Sequence, residues 1–166
     1  FLVGYIVNYA AAYYALRKLG ASHLSSVVGS LIFAFALPTA AHAPHAQLHY
    51  RFGIPLGLTY YVLFLNQKNF HHLATAAIWT VWQFYCGIYM GFFTLLFLAA
   101  ITVSHIGLNH LLRSVSATGS ITELVHAFRA YSKTSKLNFA LVFAALIAAM
   151  AMLFYPYLQV TKIYEV

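Results

Sequence analysis

A short polar stretch carries the residues best suited to bind a ligand, namely His42, His45, Gln47, His49 and Arg51. On a helix the three imidazole rings would share one side, because positions i, i+3 and i+7 stack along the 3.6-residue repeat. Arg supplies a permanent charge in a planar fork, and His adds hydrogen bonds or charge according to pH. The stretch therefore predicts a binding site for an anion such as a lipid phosphate.

Two other interpretations of these residues stay open. Three imidazoles can hold zinc and leave a fourth position free, but Pro44 interrupts the helix between the first two rings. No acidic residue is near to orient a ring, as the residues around a zinc site usually do. Alternatively, the histidines and Arg51 lie at the level of the lipid headgroups and only cap helices. We predict substrate binding here, with no metal.

The remaining candidate residues are aromatic or scattered. Tyr85 and Tyr89 flank a glycine-containing break in an apolar stretch, and we include Tyr89 among the substrate-binding residues because both tyrosines could line a cavity there. The other histidines are interpreted as residues of the membrane interface. No histidine lies in the middle of an apolar run, which argues against haem, and the sequence predicts no cofactor. Motifs of serine hydrolases and of phosphate-binding loops are missing.

The composition places these residues in a membrane protein. Of 166 residues, 63% are hydrophobic and only 7% are charged, against roughly 25% charged in a soluble domain. The basic residues, which give a net charge of +7, form no arm or stripe, so we expect no nucleic-acid partner. The chain begins at Phe1 rather than at Met, and we expect a single transmembrane domain over residues 1–166 that is a piece of a longer protein.

Charge-free runs predict an all-α, polytopic transmembrane bundle of about six spans, because a helix needs roughly 20 residues to cross a bilayer. Four of these spans are predicted at 1–16, 24–41, 52–67 and 137–161. The charge-free stretch 69–112 is too long for one crossing, so we expect two short helices broken near 85–91. With six spans, seven of the nine Lys and Arg lie on the inner side, as the positive-inside rule requires; five spans would leave four there.

The predicted inner loop between His105 and Lys136 contains its own helical pattern. Ser120 and Glu123 have the spacing of a capping box, with Ser120 as the N-cap. Apolar residues then recur at helical spacing, which predicts an amphipathic helix on the inner leaflet near 120–133. A solvated connector with helical propensity is the alternative.

Several short motifs follow one another along the chain. They are L-R-K-L-G at 16–20, V-V-G-S-L-I-F-A-F-A-L-P at 27–38, H-A-P-H-A-Q-L-H at 42–49, I-P-L-G-L at 54–58, W-Q-F-Y-C-G-I-Y-M-G-F-F at 82–93 and F-Y-P-Y-L at 154–158. Their order resembles bacterial GT-C glycosyltransferases, which are polytopic membrane enzymes that take a sugar from a polyprenyl-phosphate donor. The resemblance extends from Asn8 to about Tyr157.

The resemblance implies a location and a function. GT-C enzymes commonly carry an H-x-x-H-x-Q-like element at the outer face, matched here by His42, His45 and Gln47, so these residues would meet the phosphate or sugar of the donor. The family's catalytic Asp or Glu lies in a first extracytoplasmic loop that this chain does not contain. The resemblance thus implies that the remainder of the polypeptide supplies catalysis, while this part gives scaffold and donor binding in the bacterial inner membrane.

Two alternative functions stay open. A transporter or lipid flippase would need a polar route across the bilayer and often shows internal repeats, whereas this chain has no repeat and no charged residue inside a predicted span. A non-catalytic membrane scaffold is the other alternative. Partners expected in every case are the lipid bilayer and, for the enzyme, a polyprenyl-phosphate-linked sugar.

Overall fold

The computed structural model describes residues 2–35, 49–113 and 117–163. This part of the chain is helical with no strand, which confirms the all-α prediction. Its seven helices are α1 Leu2–Lys18, α2 His23–Phe35, α3 Gly53–Gln67, α4 Phe70–Cys86, α5 Ile88–Arg113, α6 Ala117–Ala130 and α7 Lys133–Ile163.

Short polar turns set the ends of several helices. Ser22 caps α2, because its Oγ accepts a hydrogen bond from the Ser25 amide at 3.1 Å, and Asn69 caps α4 by accepting from the His71 amide at 3.0 Å. Side-chain oxygens at these positions satisfy amides that have no partner within the helix. Between α3 and α4, Lys68 adopts a left-handed conformation with φ 54°. These tight turns make consecutive helices antiparallel.

The predicted break in the long apolar stretch is confirmed, and it lies at Gly87. This residue is extended, with φ 179° and ψ 117°, and separates α4 from α5. The two helices are unequal, since α4 has 17 residues and α5 has 26. The expectation of two short helices is therefore wrong for the second one, because α5 continues through the less apolar residues up to Arg113.

Two helices in the described part are long and apolar enough to cross a membrane, over Ile88–Leu111 and Lys133–Gln159. The second confirms a long apolar helix at the position of the predicted last span. The prediction of about six spans is wrong as a count of membrane-length helices, because α2 and α3 have only 13 and 15 residues. A 15-residue helix is roughly 22 Å long, shorter than a hydrocarbon core of about 30 Å.

The predicted amphipathic helix of the inner loop exists as α6, with boundaries shifted toward the N-terminus. It covers Ala117–Ala130 rather than 120–133. Ser120 lies inside this helix and is not its N-cap, so the capping-box interpretation is wrong. Phe128 packs against Phe70 and Phe139, with ring centroids 5.0 and 5.8 Å apart, and these contacts fix α6 on the ends of α4 and α7.

Contacts between helices bring the basic residues to one end of the bundle. The hydroxyls of Tyr14 on α1 and Tyr60 on α3 lie 2.9 Å apart, and the rings of Phe70 on α4 and Phe139 on α7 are 5.7 Å apart. We call this the basic end; it carries Arg17, Lys18, Lys68, Arg129, Lys133 and Lys136, with Arg113 as the last residue of α5. The opposite end carries the segment His49–Arg51. This separation is the one the positive-inside rule describes.

The interior contains small and polar side chains, while large apolar ones face outward. Ala11, Ala15 and Ala34 are buried at the contact of α1 and α2, where small residues let helices approach closely. By contrast, none of the most apolar 18 residues of α7 is buried. Exposing so much apolar surface to water is unfavourable, so this distribution favours association with a membrane.

Candidate functional site

Two buried carboxamides hold the segment His49–Arg51, which leads into α3. Asn8 Nδ2 donates to the His49 carbonyl at 2.8 Å, and the Arg51 amide donates to Asn8 Oδ1 at 2.9 Å. Gln83 Nε2 donates to the Tyr50 carbonyl at 3.0 Å. Asn8 and Gln83 are both 0% exposed. Buried backbone groups outside a helix need such partners, and we call this arrangement the clamp.

Glycines allow the segment to approach its neighbours. A Cβ atom added at Gly4 would lie 2.8 Å from the His49 carbonyl oxygen, and one added at Gly53 would lie 2.9 Å from the Trp79 carbonyl oxygen. Both contacts are with backbone, which cannot move aside as a flexible side chain can. The clamp therefore requires a residue without a Cβ atom at these two positions, in addition to its hydrogen bonds.

The side chain of His49 is part of the interior. It is 1% exposed, and its ring packs edge-on against Tyr5 with centroids 5.6 Å apart. Tyr5 also stacks on Phe35, at 5.1 Å and 5° between planes. The imidazole is thus not presented at the surface, and the structure uses it to fill the space between α1 and the end of α2.

Arg51 is half-buried and bound to the end of α2. Its Nη2 donates to the Phe33 carbonyl at 2.9 Å, and its guanidinium lies 5.2 Å from the centre of the Phe33 ring. Burial lowers the pKa of Arg51 from its ordinary value, and Tyr5 partly opposes the shift. Arginine still remains charged at any physiological pH. The clamp end therefore carries a fixed positive charge, and its role in binding an anion stays a prediction.

His42, His45 and Gln47 lie outside the described residues. The residues that flank their stretch, Phe35 and His49, both pack on the ring of Tyr5. Phe35 and His49 therefore lie close together at the clamp end, on the same tyrosine ring. The assignment of the three residues to a donor site stays a prediction.

Tyr89 lies apart from the clamp, at the start of α5. It is 79% exposed and lines a cavity of about 360 Å³ with Tyr85 and Tyr157 around the Gly87 break. Tyr85 Oη donates to the Ala149 carbonyl at 2.6 Å, which joins α4 to α7. Both tyrosines that flank the break line this cavity, but Arg51 and His49 do not. Among the described residues, Tyr89 is therefore not joined to His49 or Arg51.

Sequence analysis missed the two residues that organise this region, Asn8 and Gln83. A signal was present, because each is a lone carboxamide within an otherwise apolar run. Uncharged polar groups in such runs either bind a ligand or pair with backbone, since leaving them unpaired costs about 1–3 kcal/mol. Asn8 takes the second role with both of its polar atoms, and Gln83 does so with Nε2. The buried Oε1 of Gln83 has no hydrogen-bond partner among the described residues.

A second polar cluster joins α1, α3 and α4 at the basic end. Lys18 Nζ contacts the Tyr14 hydroxyl at 3.0 Å, and this hydrogen bond is the main cause that raises the pKa of Lys18. His72 Nε2 lies 3.0 Å from Gln67 Oε1. Burial lowers the pKa of His72, and the nearby charges of Lys18 and His71 act in the same direction. These contacts tie three helix ends together.

At the clamp end, the described residues include groups that can bind a ligand but no carboxylate that could act as an acid or a base. Glu123 is the only carboxylate side chain among them, and it lies at the basic end. Across the described ranges, no three His, Cys, Asp or Glu side chains come close enough to hold a metal ion. No family model, no curated protein and no solved structure matches this chain.

Proposed function

We propose that this chain is the helical membrane part of a glycosyltransferase of the GT-C type, in which it provides scaffold and outer-face binding of a lipid-linked sugar donor. The protein is a multi-pass protein of the bacterial inner membrane, and the catalytic carboxylate belongs to the rest of the polypeptide. The bundle's short helices pack beside the two membrane-length ones.

The observation that carries this proposal is the contrast between the two ends of the bundle. Most cationic side chains gather at the basic end, whereas the opposite end has the clamp, whose carboxamides are neutral, and Arg51. A guanidinium among aromatic rings suits a phosphate held at the outer membrane surface. The flanks of the stretch with His42, His45 and Gln47 pack on Tyr5, which supports adding these residues to the same site.

Buried hydroxyl groups argue for a scaffold rather than a transport route. Ser30, Thr80 and Thr94 are buried, and each donates to a carbonyl of its own helix. Their hydrogen-bonding capacity is used within single helices and does not form a chain of polar groups across the bundle. A transporter would need such a chain near the middle of the membrane.

Binding of farnesyl phosphate, which carries the phosphate and isoprenoid parts of the donor, tests the proposal on this chain. We expect His42→Ala and His45→Ala each to weaken binding about tenfold, the effect of losing one hydrogen bond to a charged group. His110→Ala is the matched control, because this exposed histidine lies near the basic end. Equal binding by all three variants and the parent chain would remove the donor site.

Sugar transfer by the full-length protein tests the reaction. Membranes that contain it should transfer sugar from a polyprenyl-phosphate donor, and replacing the acidic residue of its first outer loop should abolish transfer. An upstream region without any outward carboxylate would contradict the glycosyltransferase proposal.

A further inference from the structure

A cavity of mixed charge opens at the basic end, where α3, α5 and α6 meet. Its volume is about 540 Å³, and its polar lining comes from Asn66, Lys68, His105, Asn109 and Glu123. A cation, a carboxylate, an imidazole and two amides thus face one space. Glu123 is the only carboxylate among the described residues. Its presence distinguishes this cavity from the otherwise basic surroundings.

The backbone of Lys68 indicates that its side chain matters at this place. Lys68 has φ 54° and is the only non-glycine residue with positive φ in the described part of the chain. The residue after a helix often adopts this conformation, but it is usually Gly or Asn, because a Cβ atom is disfavoured there. Lysine occupies this position in the lining of the cavity despite the strain, and such strained positions cluster at functional sites.

An apolar groove continues from the cavity along α5. It has a volume of about 370 Å³ and shares His105 and Leu108 with the polar cavity. From there it follows α5 back to Phe97, with Leu58 of α3 on its other side. Phe97 to Leu108 is roughly 16 Å of helix. Since α5 is one of the two membrane-length helices, this groove faces the place where lipid chains would lie.

We propose that the cavity and groove together bind a phospholipid with a phosphoethanolamine headgroup. Lys68 and His105 meet the phosphate, Glu123 meets the ammonium, and Asn66 and Asn109 supply neutral hydrogen bonds. An acyl chain lies in the groove between Leu58 and Phe97. This site is separate from the donor site at the clamp end, and it requires the chain to lie in a membrane but not to transfer sugar.

Charge complementarity selects this headgroup over related ones. An anionic lipid such as phosphatidic acid would bring its negative charge to Glu123 without an ammonium to balance it, which is repulsive. Inorganic phosphate or free phosphoethanolamine would leave the apolar groove unfilled and would lose the contribution of buried apolar surface. Only a zwitterionic amphiphile uses all the groups that face this space.

Ligand binding to the purified chain in detergent tests the proposal. The probes are dioctanoyl phosphatidylethanolamine, dioctanoyl phosphatidic acid, free phosphoethanolamine and inorganic phosphate. We expect the first to bind at least about tenfold more tightly than the others, and Lys68→Gly and Glu123→Gln each to weaken it about tenfold. Lys133→Gln is the matched control, since Lys133 is an exposed lysine at the same end, and should bind like the parent chain.

Both test variants should keep the fold intact, so that a loss of binding can be attributed to the removed side chain. Glycine accepts the left-handed backbone at residue 68, and Lys68→Asn is a second neutral variant that tolerates it. Equal binding of phosphatidylethanolamine by the parent and both variants would overturn the proposal. Tighter binding of phosphatidic acid, strengthened further by Glu123→Gln, would also overturn it and indicate an anionic lipid. Equal binding of phosphoethanolamine and the lipid would rule out the groove.

Discussion

At the clamp end, Asn8 and Gln83 are fully buried, and their amides bond to the backbone of residues 49–51. At the basic end, Lys68, Asn109 and Glu123 line an open cavity instead. Charged residues are only 7% of this chain, and carboxamides within its apolar runs are few, so these residues stand out in both regions. Burial and pairing separate the two roles: a paired, buried amide maintains the backbone, whereas a polar group facing empty space is available to a ligand.

The difference has a physical origin in how each segment meets its surroundings. Residues 49–51 lie just before α3, and the His49 and Tyr50 carbonyls and the Arg51 amide are bonded to side chains rather than within a helix. Where α3, α5 and α6 meet, Lys68, Asn109 and Glu123 instead line an open cavity, which another molecule can enter. The following changes test this division, beginning with the largest expected effect.

Replacing Asn8 should destabilise the fold most. Asn8→Ala leaves the His49 carbonyl and the Arg51 amide without their partner in a buried place, and we expect a loss of about 2–4 kcal/mol in the free energy of unfolding. Gln83→Leu removes only one hydrogen bond and should cost about half as much. Thermal unfolding in detergent measures both, with Asn138→Ala, an exposed asparagine of α7, as control. Equal stability of Asn8→Ala and the control would refute the clamp.

A methyl group at Gly53 should destabilise the clamp by forcing apart α3 and α4. Gly53→Ala places Cβ 2.9 Å from the Trp79 carbonyl, and overpacking of this kind costs about 1–3 kcal/mol. Gly107→Ala is the matched control in α5, because nothing lies within 4 Å of its added Cβ. Alanine should stabilise that helix by about 0.5–1 kcal/mol. Chemical denaturation of the two variants should give changes of opposite sign, and changes of the same sign would contradict the close approach.

Lys68→Gly should raise the stability of the fold and lower its affinity for the lipid. Relieving the left-handed lysine should stabilise the fold by roughly 0.5–1 kcal/mol, while phosphatidylethanolamine binding falls. A rise in unfolding temperature together with a loss of lipid affinity would establish the trade-off. If stability drops instead, the lysine supports the turn and its conformation is no sign of function.

The smallest expected effect is a pH dependence at His72. Its pKa lies below the ordinary 6.5 in the folded chain, so the fold favours the neutral ring. The stability this provides is present above pH 6.5 and decreases as the pH falls through the folded pKa. Lys18 of α1, Tyr60 of α3 and His71 surround the ring. Comparing unfolding at pH 7.5 and 5.5 for the parent and His72→Gln should show a shallower pH dependence in the variant; identical slopes would exclude His72 as its source.

Much of the fold could be predicted because it follows from local patterns. The break at Gly87, the last apolar helix and the helix of the inner loop each depend on residues close together in sequence. The number of membrane-length helices was overestimated although individual bounds were close. The predicted 52–67 run forms Gly53–Gln67, but a helix of that length is shorter than the hydrocarbon core of a bilayer.

The candidate site could be predicted less well, because its contacts join distant parts of the chain. Asn8 meets His49 across 41 positions, and Gln83 meets Tyr50 across 33. Histidine and arginine are prominent in a sequence because their chemistry is familiar, but the sequence does not show that the His49 ring is buried beside Tyr5. Carboxamides in apolar runs are less conspicuous, although they hold the segment in place.

The sequence by itself determined the helical class, the membrane-like composition and the grouping of basic residues between apolar runs, because periodicity and charge spacing are properties of the linear chain. Tertiary structure alone decided that Asn8 and Gln83 pair with the segment before α3. It also decided that Lys68, His105 and Glu123 share one cavity. The reason is that a polar group's role depends on what surrounds it, and those surroundings come from helices that meet only after the chain has folded.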